Sequence, residues 1–311
     1  MWASSCEPDL LSNVAPSLPR TRPGDGLRSA IPLWQIAILS ALLLWLYTPT
    51  LARLILQWWR DPNFSHGFFV PLFSAFVVWQ ERGRLARMTP RPSWSGLLIL
   101  AWALCTLIVG QMGAELFLSR SSLILALAGL IVLFLGWNSF RALFFPWAFL
   151  VLMFPIPNVI FNQITFPLQL QASRVAAFVL PVFGVPILRE GNVINLPSMA
   201  LEVAEACSGI RSLMSLVTLA IIYGYLLEKR LWVRWVLALA SVPIAIAANS
   251  VRIIGTGLLV QYWDADKAEG YFHASWGWII FVISLLLLYA VHGLIRLIWP
   301  ESAWPEQEAD A

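Results

Sequence analysis

Residues 274 to 295 read ASWGWIIFVISLLLLYAVHGLI, without one Asp, Glu, Lys or Arg. An apolar run of that length matches the roughly 20 helical residues needed to cross the hydrocarbon of a bilayer. Three further stretches have the same character: Ala30 to Ala52, Trp94 to Ala114 and Ser121 to Phe140. Across 311 residues, 59% are hydrophobic and 12% charged, more apolar surface than a soluble domain of that size can bury, so lipid must solvate most of the chain. The 17 Trp fit the same class, because indole prefers the headgroup region. A net charge of +3 gives no electrostatic case for nucleic acid. Three cysteines, Cys6, Cys105 and Cys207, do not make a disulfide framework.

The expected fold is an all-α polytopic membrane protein with about eight transmembrane helices, near residues 30–52, 64–80, 94–114, 121–140, 142–157, 207–227, 233–252 and 274–296. Residues 1–29, rich in Pro, Ser, Gly and Arg, form a disordered cytoplasmic tail; residues 30–299 form the membrane domain and 300–311 a short cytoplasmic tail. Arg82, Arg84, Arg87 and Arg91 follow the second span, and Lys229, Arg230 and Arg234 follow the sixth. By the positive-inside rule both clusters lie in the cytoplasm with both termini, which puts 12 of the 20 basic residues inside.

The stretch from Asn158 to Pro186 is apolar but carries Gln163, Gln169, Gln171 and Arg174 at near-helical spacing. Those groups are poorly housed in a lipid-exposed span, so an amphipathic helix on the outer face is expected. Leu188 to Glu205 alternates Val, Ile and Leu with Gly, Asn and Pro, which predicts short extended or turn structure before the sixth span.

Three polar features stand where such spans begin or end on the outer side. In EVAEACSGIRS, Cys207 opens the sixth span, where a helix N-terminus favours a thiolate. Arg211, four residues later and expected on the same helical face, adds to that effect; read alone, the thiol is equally a small buried hydrophobe, but Glu205, Ser208, Gly209 and Arg211 around it weigh against that. Arg252, in AANSVRII, ends a span uncharged from Trp235 to Val251. Such a guanidinium either snorkels to the interface or faces a polar cluster, and Asn249 one turn earlier supports the cluster. His273 precedes the last span and is of the residue type that serves as general base near neutrality, although a lone His in an aromatic loop is more often an interfacial anchor. His66, in DPNFSHGFFVP, lies on the same side and competes for that role, whereas His292 falls near the cytoplasmic end. Glu190, Glu202 and Glu205 are external acids able to orient an imidazole or bind a basic group. No metal-ligand spacing is recognisable among them, so neither a metal nor a cofactor is expected.

Five strings carry a resemblance: SHGFFVP (65–71), LREGNVINLP (188–197), EVAEACSGIRSL (202–213), NSVRI (249–253) and HASWGW (273–278). Their ordered set resembles the exosortase and archaeosortase family of membrane transpeptidases. The resemblance implies that Cys207, Arg252 and His273 are the catalytic positions of a membrane cysteine peptidase or transpeptidase. It also implies substrates: secreted proteins whose C-terminal sorting signal combines a short Pro-Glu-Pro-type motif, a hydrophobic helix and a basic tail. The implied setting is the outer face of a bacterial inner membrane, in exopolysaccharide or surface-protein processing. The rival reading is a transporter or a non-catalytic assembly factor for polysaccharide export; against it stand the absence of an inverted repeat and the scarcity of ionisable groups at mid-membrane depth. A lipid-linked sugar transferase ranks third, because it would want several carboxylates and a metal.

Overall fold

The structure, a computed structural model, describes residues 33–113, 115–197, 200–203, 209–262 and 271–300. The expected tails, 1–29 and 300–311, lie outside the described residues apart from Pro300, as do Glu205, Cys207 and Ser208. The fold is an all-α polytopic membrane protein. Helix α1 (Leu33–Arg60) is followed by a 3-10 turn at Pro62–Phe68, then α2 (Phe69–Gln80), α3 (Arg82–Arg87), α4 (Ser95–Met112) and α5 (Leu116–Phe134). Next come α6 (Gly136–Ala142), α7 (Phe144–Phe149), a 3-10 turn at Leu150–Met153, and α8 (Asn158–Val179), extended by a 3-10 turn to Phe183. Strands β1 (Leu188–Glu190), β2 (Val193–Asn195) and β3 (Ala200–Glu202) precede α9 (Ile210–Leu227), α10 (Leu231–Tyr262) and α11 (Tyr271–Ile298).

Among the described residues seven helices are long and apolar enough to cross a membrane: α1, α4, α5, α8, α9, α10 and α11. The expected second and fifth spans are instead assembled from shorter pieces, a 3-10 turn plus α2 and the broken run from α6 to Met153. Asp61 starts the first of these by accepting from the Asn63 amide at 2.9 Å, with Pro62 at the first position where no amide is needed. The two broken segments meet in one aromatic core. Trp58 donates its indole N–H to the Met153 carbonyl at 2.9 Å, and Phe73 packs on Phe149 and Tyr225.

Helices α4 and α5 form a close hairpin. A side chain at Gly96 would strike the backbone of Leu133, and one at Gly129 would come within 2.7 Å of Leu100 Cγ. Small residues let the two backbones approach, the main source of helix attraction where lipid is as apolar as the side chains. Glu115 starts α5 by accepting from the amides of Phe117 and Leu118 at 3.0 and 3.3 Å.

Contacts between helix ends sort the bundle into two faces. Arg211 at the start of α9 reaches Asn63, so α9 begins at the face where α1 ends. Arg230 bonds the Trp299 carbonyl and Arg296 the Leu227 carbonyl, which places the α9–α10 turn and the end of α11 together on the opposite face. Helix α8 touches the first face with both halves: Phe161 packs near Phe64 and Ile210, while the Phe183 carbonyl accepts from Tyr262 at 2.7 Å. Both of its ends thus meet elements of that face, while its length and composition would allow a crossing. Thr165, Ala172, Ala176 and Leu180 form its buried stripe, whereas Gln163, Gln171 and Arg174 are exposed. Gln169 departs from that pattern and is buried.

The extended segment is an antiparallel three-stranded sheet, β1-β2-β3, with Glu190 opposite Val193 and Ile194 opposite Leu201. Its apolar side buries Ile194, Leu196 and Val203 against Ala172, Ala176 and Leu180 of the α8 segment and Ile253 and Val260 of α10. This explains a difference from the sequence reading, which ends the seventh span at 252. Helix α10 continues to Tyr262 because the sheet and α8 cover its last ten residues, so Arg252 sits inside a helix, beneath that cap.

Candidate active site

Gly209 caps α9 with φ of 78° and ψ of 0°, in the left-handed region where a Cβ is costly. A Cβ there would also lie 2.6 Å from Asn249 Cγ, so the start of α9 is pressed onto α10. The Gly209 carbonyl accepts from the Leu213 amide and the Ser212 hydroxyl, both at 2.8 Å, which fixes the first turn. Asn249 is buried, and Arg252, half-buried, follows one turn further along α10.

Helix α11 packs on the other side of that turn. A Cβ at Gly277 would lie 3.6 Å from the Arg252 guanidinium carbon, and one at Gly255 would lie 2.6 Å from the Trp276 indole nitrogen. His273 stands four residues before Gly277 in α11. The turns holding Gly209, Asn249, Arg252 and Gly277 thus adjoin at one face of the bundle. A narrow crevice lined by Leu168, Ala172, Gly209, Leu213, Ala245, Ile246 and Asn249 runs beneath them.

Arg211 and His66 lie elsewhere. Two residues along a helix is a rotation of about 200°, so with Gly209 turned to α10, Arg211 points away from it. Its Nε donates to Asn63 Oδ1 at 3.3 Å. Because α9 begins at Ile210 among the described residues, the expected shared helical face of Cys207 and Arg211 has no described helix to rest on. His66, buried at 6% exposure, sits one 3-10 turn after Asn63, with its imidazole against the backbone of Leu152 and Asn63. The structure brings Asn249 and Arg252 to the turn that leads into α9, and leaves Arg211 and His66 on the far side of α9. Sequence marks Gly209 only as a neighbour of Cys207 and does not single out Gly277, whose signal is the Gly in HASWGW.

The profile of the transmembrane exosortases (Exosortase_EpsH) matches residues 58–290, which include every turn of this site. The chain belongs to the transmembrane exosortase family. Its broad role is that of a membrane transpeptidase, and the five strings in which the resemblance was read all fall within the match. No curated protein and no solved structure matches the chain.

Proposed function

We propose that this exosortase is a cysteine transpeptidase that cleaves the C-terminal sorting signal of exported proteins, with Cys207 as nucleophile, His273 as acid and base, and Arg252 as the cationic partner. The observation that carries the proposal is the packing of Gly209, Asn249, Arg252 and Gly277 at one face of the bundle. Cys207 is two peptide bonds from Gly209, and His273 is one helical turn from Gly277. The cation and the base therefore belong to two packed helices, α10 and α11, and the nucleophile shortly precedes the glycine by which α9 is pressed onto α10.

The Cys207 thiolate, favoured by the N-terminus of α9, attacks the peptide carbonyl that joins the recognition motif to the substrate's hydrophobic helix. The C–N bond breaks, His273 gives its proton to the departing amine, and a thioester remains on Cys207. His273 then takes a proton from the accepting water or amine, whose attack on the thioester releases the product and restores the thiolate. Arg252 stabilises the oxyanion or holds a substrate carboxylate through its planar donors. Its position in α10 supports His273 over His66, which lies across α9 from it. Asn249 orients the turn, and Glu205 and Ser208 flank the nucleophile in sequence.

The basic clusters support an outward-facing site. Arg230 and Arg296 lie at the bundle face opposite Gly209, and the same loop carries Lys229. With that face cytoplasmic by the positive-inside rule, the site opens on the outer side of the inner membrane. Secreted proteins would reach it there, in exopolysaccharide or surface-protein processing. The test is co-expression with a tagged protein bearing such a signal, comparing wild type with Cys207→Ala at matched membrane abundance. Loss of the size-shifted product is expected. Unchanged processing would remove the nucleophile and favour a transport or assembly role.

A further inference from the structure

A second polar constellation lies near the end of α1, outside the site just described. Arg120, one turn into α5, is 3% exposed, and its Nη2 donates to Gln57 Oε1 on α1 at 2.6 Å. Its Nε is buried without a hydrogen-bond partner. Arg53, one turn before Gln57 on the same face of α1, is exposed; its Nε donates to the Pro49 carbonyl at 3.2 Å, which leaves its two terminal nitrogens. The Arg53 charge repels that of Arg120, and Glu115 is the acid whose charge acts on Arg120 in the opposite sense. That carboxylate is committed to capping α5, and Asp61, the other nearby acid, caps the 3-10 turn. What remains is a set of donors, Arg53 Nη1 and Nη2, Gln57 Nε2 and Arg120 Nε, with two like charges and no acceptor for them among the described residues.

Depth selects the ligand. Trp59, 80% exposed, marks the headgroup level at the end of α1. Arg53 lies six residues deeper, about 9 Å along the helix, within reach of the phosphate layer by an extended arginine. A lone snorkelling arginine would explain Arg53 but not its buried partner. We propose that Arg53, Gln57 and Arg120 form a binding site for a phosphate ester of net negative charge, at the headgroup level of the bundle face that also carries Gly209. Guanidinium forks match phosphate oxygens, and a net-anionic headgroup offsets the paired cations where a zwitterionic one brings its own cation. The site does not depend on the catalytic reading.

The experiment uses the full chain, purified in detergent and stripped of lipid, with thermal unfolding followed against added phosphatidylglycerol, phosphatidylcholine or inorganic phosphate. Phosphatidylglycerol should raise the midpoint of wild type well above phosphatidylcholine. Arg53→Gln, an exposed substitution, should weaken that apparent affinity about tenfold, the loss of one charge-assisted contact. Arg60→Gln, exposed on the same helix outside the cluster, should leave it unchanged. A shift with inorganic phosphate that Arg53→Gln removes would assign the site to a soluble phosphate group instead of a lipid. Equal response to the two lipids, an Arg53→Gln protein that responds as wild type, or an equal loss in Arg60→Gln would overturn the proposal.

Discussion

At Gly209 a backbone requirement and a packing requirement coincide, since φ is positive and a Cβ would meet Asn249 at 2.6 Å. A left-handed non-glycine residue costs about 1–2 kcal/mol, and Asn249 must also move. Gly209→Ala should therefore abolish substrate processing and lower the unfolding midpoint, read by fluorescence-detected gel filtration after heating. A variant that processes normally would mean that the two helices need not touch there. Arg252 invites a different substitution. Its guanidinium lies flat along Gly277, a geometry that suits a planar fork and not a point charge. Arg252→Lys is expected to cut processing about a hundredfold at unchanged abundance, the scale of losing one oriented transition-state donor. The candidate residues were legible because each is a polar group interrupting an apolar run. The contact that joins them was not, since Gly209 and Asn249 meet only through packing between segments forty positions apart.

Among the elements, those governed by apolar length were the most readable: the long runs at 95–112 and 116–134 are single helices, and the stretch read as one amphipathic helix, 158–186, contains α8, whose exposed side carries Phe166 and Phe178 beside Gln163, Gln171 and Arg174. Two features escaped. The broken fifth segment is split at Leu143, where Pro146 has no amide to give to the Ala142 carbonyl, and again at Leu150, beside the Phe145, Phe149 and Tyr225 packing. The end of α10 was misplaced because Arg252 looks like a membrane boundary; cover from β2 and α8 makes the next ten residues as buried as a span. The pairing of α10 with α11 supports a graded test. A Cβ at Gly277 stands 3.6 Å from the Arg252 guanidinium, an ordinary contact, so Gly277→Ala should keep most activity. Gly277→Leu should displace the guanidinium and lose processing while membrane abundance stays near wild type. If the leucine variant works as well as the alanine variant, Arg252 does not act from this position.

On the scale of the whole molecule, the face opposite the candidate site is held by one buried carboxylate. Glu228, 2% exposed in the α9–α10 turn, receives Arg230 at 3.4 Å, Arg296 of α11 at 3.6 Å and His292 Nε2 of α11 at 3.2 Å. Tyr223 meets His292 Nδ1 at 2.7 Å, and Arg234 donates to the Glu228 carbonyl at 2.7 Å. Burial alone would raise the Glu228 carboxyl; bonds from the Arg230 backbone, His292 and the Arg230 side chain outweigh it and hold the group below its ordinary range. A carboxyl depressed in the folded state contributes stability above its unfolded value, near 4.3, and that contribution is lost as pH falls through the folded value. Wild type should therefore keep a level unfolding midpoint near neutrality and lose it on acidification below about pH 4. Glu228→Gln removes the charge that Arg230 and Arg296 share, a loss of about 3–5 kcal/mol for breaking a buried pair, and should lower the midpoint at pH 7. Its acid sensitivity should shrink at the same time, because the group that titrates is gone. Since α11 carries His273 at its other end, the variant should also process substrate more slowly if the clasp sets the tilt of that helix. Unfolding midpoints measured from pH 3 to 8 on both proteins decide the matter: parallel curves would show that the acid response comes from other groups, and equal midpoints at neutrality would show that Glu228 does not hold the helices together.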